Sequence, residues 1–425
     1  MTYPRRYQTD NPHQVHQLLV SPSRYLWLKK DGSLTYRSTP FGTSRRDLEA
    51  NAAKMLLRYV CRDHYTGAFY AEYVPYTAPL DLVEFVHRAW MPKGGTECPQ
   101  VFCGVPTYLM VPEKIWTPEL ESALAQAGTV SLKPPSGFAS GLPVLRHLDS
   151  FEGFHLFRDA RYEPRDAHLD MVNQSLGRFM REHNTLWTMG EGRDQPTRWE
   201  LIKQHFATTP PVFPPPFPSF AGRPLPQYEN REQQYAEMNR NPARAHWLFQ
   251  EERRLQGTAP TFRQLLRDLA EAEVWPLYEE WPDWTPPDPA AGGPRDHWAE
   301  SFPFRFARAM ERALDFDPDC VMALSYYGIF LFDDLKEPAR AEPLLRRAVE
   351  VGRRELVWDG ESHPHHLLEN RPYLRALLYL ADLLVQQGRA AEAQPYIAEL
   401  RRLDPVDAYE WSALERRLTN PESFN

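Results

Sequence analysis

The alternation of apolar and polar positions is clearest near the start of the chain. Arg24-Tyr25-Leu26-Trp27-Leu28-Lys29 and Leu34-Thr35-Tyr36-Arg37-Ser38 are strand-like, and Asp31-Gly32 between them is a tight-turn signal. This predicts a β-hairpin over 24–39. Leu48, Ala52, Met55, Leu56 and Tyr59 then share one helical face, which predicts a helix over 44–62 capped by Thr43 or Ser44. A second helix is expected at 79–90, opening with Pro79 and ending before Pro92. Val101–Phe102 and Thr107–Val111 read as short strands. A helix should open at Thr117-Pro118-Glu119 and stop at Gly128, and Thr129–Leu132 is strand-like. This succession predicts a small α+β domain over 1–160.

From about 165 the period becomes helical. Leu169, Val172, Leu176 and Phe179 mark a helix over 166–183, and a shorter one is expected at 197–206. Residues 210–226 then carry eight prolines, with Val212, Phe213, Phe217 and Phe220 interleaved. Such density imposes polyproline II geometry. The segment reads as a strap whose aromatics pack on the chain's own surface, or else as a docking segment for an aromatic groove elsewhere. Helices resume at 242–256 and 262–280, where Pro276 should kink or end the second. A second strap, 281–294, has five prolines. Residues 161–295 are therefore expected as a helical region with two proline-rich straps.

Residues 296–425 show self-similarity. Leu377, Leu380, Ala381 and Leu384 lie on one helical face, and Gly388 permits a turn. Ala393, Ile397 and Leu400 line the next helix, which Asp404-Pro405 ends. The same template fits upstream at Tyr327, Gly328, Ala341, Leu345 and Ala348, and in half at Met310, Ala313 and Asp317-Pro318. This pattern resembles the tetratricopeptide repeat, a 34-residue helix–turn–helix unit with small residues at two packing positions and a closing proline. About a quarter of the chain is covered. Leu377 stands where the family often has Trp, the middle unit lacks the turn glycine and closing proline, and residues 353–372 form an insertion. The resemblance implies a TPR-like α-solenoid whose concave face binds protein partners. The alternative is a generic helical bundle with alanine-rich contacts. The fold class expected for the whole is an α+β N-terminal domain followed by a mostly α-helical region ending in TPR-like helical repeats.

Composition adjusts this picture in three ways. The chain has 425 residues, 42% of them hydrophobic and 25% charged, which suffices for two or three folded cores. Its 41 prolines, roughly double the usual frequency, argue against one long rod or one large sheet. No run of apolar residues is long enough to span a membrane, no secretory signal or lipidation motif is visible, and a cytoplasmic location is expected. The net charge of −8 argues against general nucleic-acid binding, yet residues 1–60 carry ten Lys/Arg against four Asp/Glu. Arg5, Arg6, Arg24, Lys29, Lys30, Arg37, Arg45, Arg46, Lys54 and Arg58 form either a patch for an acidic partner or nucleic acid, or a solvated face. The aromatic run Tyr65, Phe69, Tyr70, Tyr73 and Tyr76 reads as core, with a nucleic-acid stacking platform as the other reading.

Candidate chemistry is sparse. Cys61, Cys98, Cys103 and Cys320 read as reduced thiols, and Cys98/Cys103 lack the second close pair of a structural zinc site. His363, His365 and His366, broken by Pro364, lack the three- or four-residue spacing of ligands on a helix and read as a polar loop. There is no phosphate-binding glycine loop, nucleophile elbow or His-Glu-x-x-His motif, so no catalytic residue and no cofactor is assigned. The function expected is a non-enzymatic interaction or scaffold protein, with contact residues in the insertion: Trp358, His363, His365, His366, Arg371 and Tyr373. The alternative is an enzyme or nucleic-acid effector acting through the N-terminal domain, with the repeats as a regulatory arm.

Overall fold

Strand β1 (Val15–Leu28) organises the N-terminal part of the computed structural model. The structure describes residues 9–42, 44–93, 100–134, 142–156, 168–188, 195–228, 230–257, 261–281, 302–357, 364 and 367–419. The chain falls into two compact units, Met1–Leu265 and Leu266–Asn425.

In the first unit, β1 pairs antiparallel with β2 (Leu34–Tyr36) and β3 (Met55–Asp63). On its other side it pairs parallel with β5 (Tyr108–Met110), which pairs parallel with β6 (Val130–Leu132). Strand β4 (Phe69–Pro75) lies antiparallel on β3. The sheet is mixed, in the order β4-β3-β1-β5-β6 with β2 on β1. The β1–β2 turn forms as the Asp31-Gly32 signal requires. Gly32 has φ +83°, and Asp31 Oδ1 accepts from the backbone N–H and hydroxyl of Ser33.

The helix expected over 44–62 is corrected. Only Arg45–Asn51 is α-helical (α1), with Ser44 accepting from Asp47 N at its start. A 3-10 turn at Ala52–Lys54 leads directly into β3. Met55, Leu56, Tyr59, Val60 and Cys61 are all buried, on both faces of a central strand. A strand covered on both faces shows no alternation, so its apolar run also fits a helical template. Val101–Phe102, expected as a strand, is buried but irregular. The first half of β1 carried no strand signal because buried His16 and Gln17 interrupt it.

Helices α2 (Leu82–Trp90) and α3 (Pro118–Gln126) start at caps Asp81 and Thr117. Helix α4 (Leu142–Ser150) continues as a π turn over Phe151–His155. Helix α5 (Leu169–Thr185) seals the outer edge of the sheet. Asn173 bonds both backbone groups of Tyr73, and Asn184 both of Phe69. Two asparagines thus supply the partners an edge strand otherwise leaves open. The helices expected as a separate middle region therefore include one that belongs to the sheet. Helices α6 (Arg198–Thr208), α7 (Phe217–Ala221), α8 (Arg231–Arg240) and α9 (Pro242–Leu255) complete this unit.

The first proline-rich segment packs on the same unit. Phe217 and Phe220 are fully buried. His87 on α2 accepts from Trp247 Nε1 at Nδ1 and donates from Nε2 to Pro215 O, both at 3.0 Å. Val105 N donates to Val212 O. The second strap lies outside the described residues except for Trp281.

The second unit is helical. Helix α10 (Phe262–Glu280) enters it and runs through Pro276 without ending there. Then follow α11 (Phe302–Phe316), α12 (Val321–Ile329) with a π turn over Phe330–Asp334, α13 (Pro338–Glu355), α14 (Arg371–Gln386), α15 (Ala390–Leu403) and α16 (Trp411–Thr419). Helix α12 packs on both α13 and α14, α14 packs on α13 and α15, and α16 packs on α14 and α15. Ala341, Ala348, Ala381 and Ala393 are fully buried at these contacts. A Cβ on Gly328 would lie 2.8 Å from Leu345, and one on Gly352 would lie 2.7 Å from Cγ of Tyr373. Glycine is needed at both for backbone and side chain to meet. Among the described residues, no helix is long and apolar enough to cross a membrane.

Candidate functional site

A concave pocket of about 470 Å³ opens in the helical unit. Four segments build it. The end of α10 and the residue after it bring Tyr278 and Trp281; the α12 π turn brings Asp333 and Asp334; α14 brings Arg375, Leu378 and Tyr379; the α15–α16 turn brings Ala408, Tyr409 and Glu410. A π turn adds a residue to a helical turn and redirects the side chains beyond it. Here it places two consecutive aspartates at the pocket.

The α15–α16 turn is strongly determined. Asp407 (φ +60°) and Glu410 (φ +57°) both occupy the left-handed region without being glycine. Asp404 holds them there. Its Oδ2 accepts from Tyr409 N at 2.9 Å, and its backbone oxygen accepts from Trp411 Nε1 at 2.8 Å. Asp407 Oδ1 accepts from Ser412 N.

Arg375 is the pocket's cation. Its Nη1 donates to Tyr278 Oη at 2.8 Å, and its guanidinium lies 5.5 Å from the Tyr278 ring and 5.7 Å from Tyr326. Tyr278 and Tyr326 stack with centroids 4.5 Å apart. The arginine's charge is therefore spread against two aromatic faces. Burial raises the Tyr326 hydroxyl well above its ordinary range, with Tyr278 adding to the effect. Burial also raises the Asp334 carboxyl, helped by the neighbouring charge of Asp333, while a hydrogen bond from Trp281 opposes the rise. Asp333 faces solvent and pairs with Lys336 at 3.5 Å. With Glu410, the pocket holds three carboxylates against one guanidinium, between the rings of Tyr379, Tyr409, Tyr278 and Trp281.

The contact residues expected from sequence fall elsewhere. Trp358, His363, His365 and His366 lie outside the described residues. Arg371 is exposed at the first position of α14. Tyr373 is buried beneath Gly352, with its hydroxyl donating to Glu399 at 2.5 Å. None of the pocket residues was singled out by sequence. The one available signal was Arg375, a cation inside the otherwise apolar run Tyr373–Ala381.

The basic N-terminal set divides. Arg58 is buried, with Nη1 2.6 Å from Asp149 and 3.2 Å from Glu152, so it belongs to no surface patch. Arg37 and Lys54 sit over the Trp27 ring at 4.0 and 5.9 Å. Arg5 and Arg6 lie outside the described residues. Of the aromatic run, Phe69, Tyr70 and Tyr73 are buried core, while Tyr65 and Tyr76 are half-buried. Cys61, Cys103 and Cys320 are buried free thiols, and burial pushes each up to about 12. Cys98 lies outside the described residues. Among the described residues, no group of three His, Cys, Asp or Glu side chains is placed to hold a metal. No protein-family model matches the chain, and a comparison with curated proteins finds no match.

Proposed function

We propose that this chain is a non-enzymatic interaction protein whose TPR-like helical unit binds a basic segment of a protein partner in the pocket beside Arg375. One observation carries the reading: aromatic side chains and three carboxylates converge on one concave space. A lysine or arginine side chain entering it would meet Asp333, Asp334 and Glu410 while packing its stem against Tyr379 and Tyr409. Arg375 is already engaged with Tyr278 and Tyr326, so its charge is partly spent before a ligand arrives. Desolvation on binding strengthens charge complementarity inside the pocket and gives specificity over neutral or acidic segments.

The test is a fluorescence-anisotropy titration of the full chain with three labelled nonapeptides, one basic, one neutral and one acidic. The basic peptide should bind best, and its affinity should fall as salt rises. The D333N/D334N double variant should bind it roughly tenfold or more weakly, the size of effect expected for removing a desolvated charge contact. Equal binding of all three peptides, or an unchanged affinity in the double variant, overturns the reading.

A further inference from the structure

The first unit contains a second feature, remote in sequence from the pocket residues. Arg62 on β3 and Arg198 at the start of α6 converge over Gly67, in the β3–β4 turn. A Cβ placed on Gly67 would lie 3.4 Å from Arg62 Nη2, 3.8 Å from Arg62 Nε and 3.7 Å from Arg198 Nε. Two guanidinium groups thus face one small space that a side chain at 67 would fill. Gly67 has φ +74°, and the turn is fixed by Asp63, whose Oδ2 accepts from the backbone and hydroxyl of Thr66.

Both arginines are held in place by neutral groups. Arg62 Nη1 donates to Gln17 Oε1 at 3.0 Å. Arg198 Nη1 donates to the carbonyls of Trp187, His183 and Thr188 at 2.9, 3.2 and 3.4 Å. Arg198 Nε is buried and has no partner. Among the described residues neither arginine forms an ion pair. Asp63, whose charge acts on Arg62, spends its oxygens on Thr66 and on His13 N. Two positive charges brought together with no ion-pair partner, beside one carboxylate already engaged by other donors, are costly unless something negative joins them.

Two histidines stand beside them. His183 is fully buried, and its ring lies 4.8 Å from that of His147. Asn184 is oriented by its two bonds to Phe69, so its Oδ1 is an acceptor. His183 Nδ1 at 3.1 Å must then carry the hydrogen, and Nε2 is left as a buried atom without a partner. Burial lowers the Arg198 guanidinium to about 10, with Arg62 adding to the effect. Burial lowers His183 and His147 as well, and Arg198 is the next cause for both. The charges of Arg62 and Arg198 thus act on both histidines, while the charge of Asp63 reaches Arg62.

We propose that Arg62 and Arg198, across the bare Cα of Gly67, bind the phosphate group of a small anionic ligand, with His183 and His147 at its side. Guanidinium groups match phosphate oxygens with paired charge-assisted hydrogen bonds. Free phosphate and a phosphomonoester share this chemistry.

The full chain, freed of phosphate, is titrated by calorimetry at constant ionic strength with inorganic phosphate, phenyl phosphate and acetate. Thermal unfolding of the same samples is recorded. Saturable binding of a phosphate compound with a raised melting temperature, and none of acetate, is expected. Tighter binding of phenyl phosphate assigns a phosphomonoester; equal binding assigns the free anion; both support the site. Arg62→Gln should weaken binding about ten- to hundredfold, the loss expected for a charge-assisted pair. His147→Gln, a milder change at the half-buried ring, serves if Arg62→Gln does not fold, and should weaken binding severalfold. Absence of saturable phosphate binding, or binding unchanged in the variant that folds, overturns the proposal.

Discussion

The two units treat charge in opposite ways. The sheet unit buries it. Arg88 and Glu72 are each 2% exposed and meet through two hydrogen bonds of 2.8 and 3.0 Å. Glu72 also accepts from Tyr70 Oη. Glu152, with no exposed surface, accepts from the backbone of Arg24 and Tyr25 and from Tyr73 Oη. Lys93 gives its ammonium hydrogens to the carbonyls of Ala89, Met91 and Phe102, and burial brings it down to about 8. The helical unit keeps many of its ion pairs nearer the surface: Arg346 with Glu392, Arg353 with Glu399, Arg347 with Asp319. For Glu152 and Lys93 the cause is the backbone. Strand ends, loops and helix termini offer spare N–H and C=O groups to a buried charge, whereas helix interiors have already paired theirs. A core made of helix sides has little with which to satisfy an ion.

Acid should separate the units most. His13 and His87 are buried, and burial lowers them to about 4 and about 3. Their folded values lie below the ordinary 6.5, so the stability they contribute is present above that value and is lost as pH falls toward the folded one. Between pH 6.5 and 4.5 the sheet unit should lose about 5 kcal/mol from these two residues together. Glu271 in the helical unit has the opposite sign. Burial raises its carboxyl to about 7, so the folded state gains relative stability as pH falls from about 7 toward 4.5. Urea titrations of the full chain at pH 7 and 4.5, followed by hydrogen exchange resolved by peptide, should show the sheet peptides weakening and helical-unit peptides around α10 holding. Parallel loss in both would break the comparison.

Removing half of a buried pair is the next largest effect. Glu72→Gln leaves Arg88 buried and facing a neutral amide, and should cost about 3–5 kcal/mol in the sheet unit. Urea midpoints read by exchange in β3 and β4 peptides check it. An effect under about 1 kcal/mol would mean that Glu84, 3.5 Å from Arg88, takes over the charge.

Legibility in the sequence followed the same division. Gly328, Gly388, Ala381 and Ala393 stood out because helical contacts repeat at fixed spacing, and each now sits at a turn or a close contact. The hairpin was legible because Asp31-Gly32 determines its own turn. Strand β3 was not, because a strand buried on both faces loses its period of two. The pocket was hidden for a different reason. Asp333 and Asp334 reach it through a π turn, and Tyr409 and Glu410 through two left-handed residues, and neither geometry has a sequence signature here. Arg62, Gly67, His147 and Arg198 come together from β3, the turn after it, α4 and α6, whose pairing no local pattern predicts.

The smallest expected effect concerns the helical unit's own device, close approach in place of buried charge. Gly352→Ala has two opposed consequences. Alanine favours the helix over glycine by about 1 kcal/mol. Its methyl, however, would lie 2.7 Å from Cγ and 2.9 Å from Cβ of Tyr373, the root of the ring rather than its tip. Rotating the ring cannot clear those atoms, and its hydroxyl is tied to Glu399, so α13 and α14 must separate. Overpacking of this kind costs about 1–3 kcal/mol, so the net change should be a loss of up to about 2 kcal/mol. Gly328→Ala meets Cγ and Cδ2 of Leu345 at 2.8 Å, with the Leu345 backbone nitrogen next at 3.4 Å; that side chain has no hydrogen bond to hold it, and its net cost should be smaller. The order of the two urea midpoints is the measurement. If Gly328→Ala proves the more damaging, side-chain freedom is not what sets the cost, and the helical unit depends on backbone contact at α12 rather than on the seat of Tyr373.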